Sequence, residues 1–124
     1  MKDCGKSMIL SRIKDLILNI IMKHDKLVRD KIPEIIRERG EDPVTRIADD
    51  EEYWQKLKDK LKEEVYEYID EEKASELADI LEVIHAICDF KNLDKDELEE
   101  IRKSKLDEKG GFSKRIILEK SLFS

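Results

Sequence analysis

Apolar side chains recur along this chain at the three- and four-residue spacing of amphipathic helices, and only two short stretches alternate like strands. Ile9, Ile13, Leu16, Ile17, Ile20 and Ile21 set the first helical pattern, interrupted by Arg12, Lys14, Asp15 and Asn19. Lys26-Leu27-Val28-Arg29-Asp30-Lys31 then reads as a basic entry to a short helix over about 32–39, with Pro33 in its first turn and Gly40 as its stop. Val44-Thr45-Arg46-Ile47 has the β-branched alternation of a short strand. Asp49 or Asp50 can cap the next helix, on which Trp54, Leu57, Leu61, Val65 and Tyr68 share an arc of about 80°.

A further helix is predicted over about 74–90, its apolar arc made by Leu77, Ile80, Leu81, Val83, Ile84, Ile87, Cys88 and Phe90. The last spans about 95–108, opened by Asp94 as N-cap, carrying Leu98, Ile101 and Leu106, and ended by Gly110-Gly111. Arg115-Ile116-Ile117-Leu118 reads as a second strand that could pair with Val44–Ile47. The expected fold is therefore all-α, an antiparallel helical bundle with a small two-stranded β-ribbon.

Length and composition agree with one helical domain. The chain has 124 residues, 45% of them charged and 6% aromatic, with four Gly and two Pro to break helices. A net charge of −6 argues against a general nucleic-acid binder, which needs a basic face. Cys4 and Cys88 fit no metal spacing or disulfide framework, so both read as reduced thiols in a cytoplasmic protein, with Cys88 on a core face.

Residues 1–23 stand apart, with five basic and two acidic side chains against 20 and 29 in the rest. The segment is too short and too charged to span a membrane, and it lacks the features of a signal peptide. Three readings of this amphipathic extension stand: a packing or oligomerisation helix, an interfacial membrane helix, or an artefact of start-site choice with Met22 as the true start.

The candidate chemistry is carboxylate. Glu64 with Glu67, and Glu76 with Asp79, are each three apart and so share a helix face. If the two helices fold back about a turn centred between Glu71 and Glu72, Glu67 comes level with Glu76 and Glu64 with Asp79. With Leu57 as zero, Glu64 falls at about −20° beside the apolar stripe, Glu67 at about −80°, and Glu63 at about −120°, round toward solvent. Glu76 and Asp79 fall in or beside the apolar arc of their own helix, whereas Glu82 and Asp89 do not.

Glu-rich helices often carry such pairs as solvated faces, but four acids at a core border need a counter-charge. Lys60, Lys62 and Lys73 could supply part of it. A hard divalent cation such as Mg²⁺ would resolve the repulsion and could bridge to phosphates. No glycine-rich phosphate loop is present, so metal and Lys or Arg would have to hold any phosphate. His85 points away from the acids, and His24 sits in the junction before the basic segment.

At Glu63-Glu64-x-x-Glu67 and Glu76-x-x-Asp79 the chain resembles the MazG-like, all-α nucleoside triphosphate pyrophosphohydrolases. It is especially similar to the short, phosphoribosyl-ATP pyrophosphohydrolase-like branch. That branch opens with K-L-V-R-D-K-I-P-E-I-I, here Lys26 to Ile36, contains E-L-A-D-I-L-E-V-I, here Glu76 to Ile84, and ends with G-G-F-x-K-R-I, here Gly110 to Ile116. The resemblance implies a domain over 24–120, with 121–124 as a tail.

It also implies Glu64, Glu67, Glu76 and Asp79 as Mg²⁺ ligands, with Glu63 behind them or orienting water, so that Glu63, Glu64 and Glu67 carry the catalysis. Arg29, Lys105 and Arg115 stand in the matching basic segments as candidates for phosphate contact. The implied activity is hydrolysis of a nucleoside triphosphate to the monophosphate and pyrophosphate in a house-cleaning role, by a homodimer. Two alternatives stand beside it: phosphoribosyl-ATP hydrolysis in histidine biosynthesis, and a non-catalytic helical module that binds a nucleotide or partner. The connector between Glu67 and Glu76 is shorter than in many MazG-like enzymes, which leaves little chain there to shape a base pocket.

Overall fold

The computed structural model describes residues 25–122, and the expectations for the 1–23 extension, Cys4 and His24 lie outside them. The described residues form four helices: α1 (Ile32–Glu38), α2 (Asp50–Glu71), α3 (Ala74–Phe90) and α4 (Lys95–Lys109). The fold is all-α. None of these helices is long and apolar enough to cross a membrane.

Local chemistry sets the helix boundaries. Pro33 sits in the first turn of α1, where its missing N–H breaks no ladder bond. The Asp49 side chain accepts from the Glu52 N–H at 2.9 Å, which caps α2, and Asp94 accepts from the Asp96 N–H at 2.7 Å, which caps α4. Gly110, at φ +83°, ends α4 by donating its N–H to the Leu106 carbonyl at 2.8 Å. Between α2 and α3 there are only two residues. Glu72 adopts the left-handed conformation (φ +56°) and donates its N–H to the Tyr68 carbonyl at 2.7 Å, and Lys73 leads directly into α3. So tight a reversal forces α2 and α3 to run antiparallel and to pack along each other.

That hairpin is the core. Leu57 (1% exposed), Val83 and Cys88 (2%) are its buried apolar side chains. At its open end Trp54 stacks on Phe90, with centroids 5.7 Å apart and planes 7° from parallel, while Tyr53 meets Phe90 edge-on. Lys91 lies 4.1 Å over the Trp54 ring and adds a cation–π contact. The α4 helix contributes no buried residue.

The expected β-ribbon is absent. No strand or bridge occurs among the described residues. Val44 is 99% exposed, and Ile116, Ile117 and Leu118 are all close to 80%, so neither stretch has a buried face to fix a register. In its place Arg46 turns back to pair with Glu52 through both guanidinium nitrogens and with Asp25 at 3.5 Å, which fixes the 44–47 stretch as a connection.

Candidate functional site

The closed end of the hairpin gathers acids. Because α2 and α3 reverse through two residues, the last turns of one face the first turns of the other. Glu64, Glu76 and Asp79 each bring a carboxylate oxygen within 4.8 Å of the others. Glu64 and Glu76 are buried, at 6% and 9% exposure, and Asp79 is half-buried. Glu76 also stands in the first turn of α3, where the helix dipole favours negative charge.

Glu67 belongs to the same cluster without joining that triple of oxygens. Burial, the charges of Glu64 and Glu63, and hydrogen bonds with Glu76 and Glu64 push its carboxyl up to about 7. Glu76 is raised too, chiefly through its hydrogen bond with Glu71 and by burial. Carboxylates brought this close resist shedding their last proton, and a cation among them would remove that resistance.

Glu63 departs from its expected orientation. The helical angle directs it toward solvent, yet it is 4% exposed. The segment from Lys26 lies across that side of α2, and periodicity within α2 carries no information about it. Lys26 donates to Glu63 Oε1 at 2.8 Å, and Lys60 reaches Glu63 Oε2 at 2.9 Å and Glu64 Oε1 at 3.3 Å. Burial alone would raise the Glu63 pKa, but the two lysines outweigh it and hold the carboxyl below its usual range. Lys60, itself penalised by burial, is raised by Glu63 and Glu64. A cavity of about 10 Å³ beside Lys26, Lys60 and Glu63 has room for roughly one water.

Two buried oxygens accept no hydrogen bond, Glu63 Oε2 and Glu64 Oε2, and only the first has a cation against it, Lys60 at 2.9 Å. Glu64 Oε2 is buried and receives no hydrogen bond, whereas its partner Oε1 faces Lys60. A buried carboxylate oxygen without a donor is costly, and a divalent cation is the ligand that would satisfy it together with Glu76 and Asp79. The donor set is all oxygen, three converging carboxylates with Glu67 adjacent, the kind of lining a hard cation takes.

Among the expected phosphate contacts, Arg29 reaches the cluster, its NH2 group 2.7 Å from Asp79 Oδ1. Lys105 and Arg115 are exposed, on α4 and on the segment after it, and neither forms an ion pair with the acids among the described residues. The Arg29–Asp79 pair links residues 50 apart in sequence, so no local pattern announces it. The expected counter-charge from Lys60 is present, whereas Lys73 pairs instead with Glu71 at 3.6 Å. His85 is exposed, and Cys88 is a buried free thiol.

Fold and site together define an all-α protein whose helical hairpin closes on a carboxylate cluster. The chain is 57% identical over 42 residues to an uncharacterized protein of Mycolicibacterium smegmatis; the match covers 34% of this chain and 43% of that protein. The chain thus spans less than half the length of that relative. No protein-family model matches the chain, and no solved structure does.

Proposed function

We propose that the protein is a Mg²⁺-dependent nucleotide pyrophosphohydrolase of the MazG-like type, which cleaves a nucleoside triphosphate between the α and β phosphates. The observation that carries this reading is the convergence of carboxylate oxygens from Glu64, Glu76 and Asp79, with Glu64 also keeping a buried oxygen, Oε2, that accepts no hydrogen bond. Glu64, Glu76 and Asp79 would hold the cation, with Glu67 beside them. When bound, Mg²⁺ would neutralise the triphosphate and acidify water at the site.

The chain's own residues supply the rest. Lys60 orients the Glu63 and Glu64 carboxylates, and Lys26 fixes Glu63 from the other side, so the acids are held before any ligand arrives. Glu67, beside the cation and ionised once it is bound, would be placed to take a proton from attacking water. Glu63, buried between two lysines, acts by positioning. The homodimer expected from the resemblance gains support from Ile69, Leu77 and Leu81, apolar side chains of the hairpin that are 57%, 45% and 56% exposed.

The deciding experiment is a panel of normal and modified nucleoside triphosphates, with phosphoribosyl-ATP among them, assayed for pyrophosphate with and without Mg²⁺. Release should require Mg²⁺ and be lost in Glu67→Gln and Asp79→Asn. Full activity in both variants would remove the site assignment. Turnover confined to phosphoribosyl-ATP would move the protein to histidine biosynthesis.

A further inference from the structure

We propose that Arg29 is an internal counter-ion of the acid cluster, one that leaves Asp79 when a divalent cation binds and is thereby released for an incoming anion. The inference rests on the cation-site reading above and assigns the loading of that site a moving part.

The two cations that segment 25–31 offers to the hairpin are unequal. Lys26, its side chain 41% exposed, donates to Glu63, whose side chain is only 6% exposed, so this part-buried contact holds the segment more firmly. Three residues on, Arg29 reaches Asp79 through a pair whose side chains are 55% and 36% exposed. Exposed pairs of this kind are weak and exchange readily with water and ions. The guanidinium lies 2.7 Å from Asp79 Oδ1, and Asp79 is one of the three acids whose oxygens converge. Whichever Asp79 oxygen turns toward a dication, a fixed positive charge on the same carboxylate opposes it.

Glu64 Oε2, buried and without a donor, gives independent evidence of unmet demand for a cation that Arg29 does not supply, since Arg29 bonds Asp79 alone among the acids. With Lys26 still anchored, a displaced Arg29 stays tethered at the mouth of the cluster. There its fork of donors faces whatever anion bridges to the cation.

The test is calorimetric titration of Mg²⁺, and separately Mn²⁺, into the full chain, into Arg29→Gln and into Lys31→Gln. The Lys31 variant removes an equal charge two residues along, from a side chain that forms no ion pair with the acids among the described residues. Arg29→Gln should bind about two- to fivefold more tightly, the range of a lost exposed ion pair, and 1 M salt should shrink the difference. Lys31→Gln should match the unaltered chain.

In parallel, the Arg29 side-chain NMR resonance, assigned by its loss in Arg29→Gln, should move as Mg²⁺ saturates the site. Unchanged or weaker binding in Arg29→Gln, equal tightening in Lys31→Gln, or a stationary Arg29 resonance at saturation overturns the counter-ion role alone. Absence of cation binding from every form at millimolar concentration overturns the site reading along with it.

Discussion

At the open end of the hairpin Trp54 lies flat against Phe90 with Lys91 above it, so surfaces of matching shape and charge meet. About ten residues along α2, roughly 15 Å away, Glu64, Glu67, Glu76 and Asp79 crowd together, and a buried oxygen goes without a donor. The same two helices make both ends. The first end stabilises the hairpin. The second costs stability, and its lysine contacts with Glu63 and Glu64 offset only part of that cost. Acids can be held this close because the aromatic end and Leu57 keep the helices together.

If that division holds, the two ends should fail in different ways. The largest effect is expected at Leu57, 1% exposed and one turn from Trp54. Leu57→Ala should lower stability by about 3 kcal/mol, measured by urea unfolding, while cation affinity per folded molecule stays unchanged. Next comes Glu64→Gln. It should reduce Mg²⁺-dependent pyrophosphate release at least about 100-fold, roughly 2.7 kcal/mol of barrier, and yet leave Tm level or raise it. A large fall in Tm would show that the cluster supports the fold after all.

Trp54→Ala should cost about 2 kcal/mol, less than for a fully buried aromatic because this ring is half-buried. Circular dichroism melts would register the loss, and the same variant should bind Mg²⁺ as before. The smallest and most specific effect is pH dependence. The Glu67 carboxyl is raised from 4.5 to about 7 in the folded protein, so its proton favours the native state. The cation-free protein should therefore lose stability as pH rises from about 4.5 through 7. Glu67→Gln or saturating Mg²⁺ should flatten the slope of urea midpoints between pH 5 and pH 8. Glu63 and Glu52, held low by their cationic partners, act in the opposite sense and only below pH 4.5.

Residue spacing carried most of the helical framework and much of the acid cluster. Asp49 and Asp94 announced their helices because a capping side chain acts within three residues of itself. Glu64, Glu76 and Asp79 could be paired across the turn because two rigid helices and a short reversal leave one register. What spacing could not carry was contact across long separations. Glu63 reads as exposed on its own helix and is covered by Lys26, 37 residues earlier. Arg29 reads as free for phosphate and lies on Asp79. Val44–Ile47 and residues 115–118 have the composition of strands, but a strand also needs a neighbour and a buried face, and the described structure gives them neither.

The two-residue connector at Glu72 and Lys73 has a consequence for how such a chain can vary in length. One residue added to α2 after Glu67 would rotate Glu64 and Glu67 by about 100° and shift them about 1.5 Å relative to Glu76 and Asp79. The left-handed turn has no slack to absorb the step. Insertions and deletions should therefore be excluded between Glu64 and Asp79 and tolerated in the exposed connections before α2 and after α4. A library of single-alanine insertions scored for Mg²⁺ binding should show one intolerant window at the closed end of the hairpin, with permissive flanks.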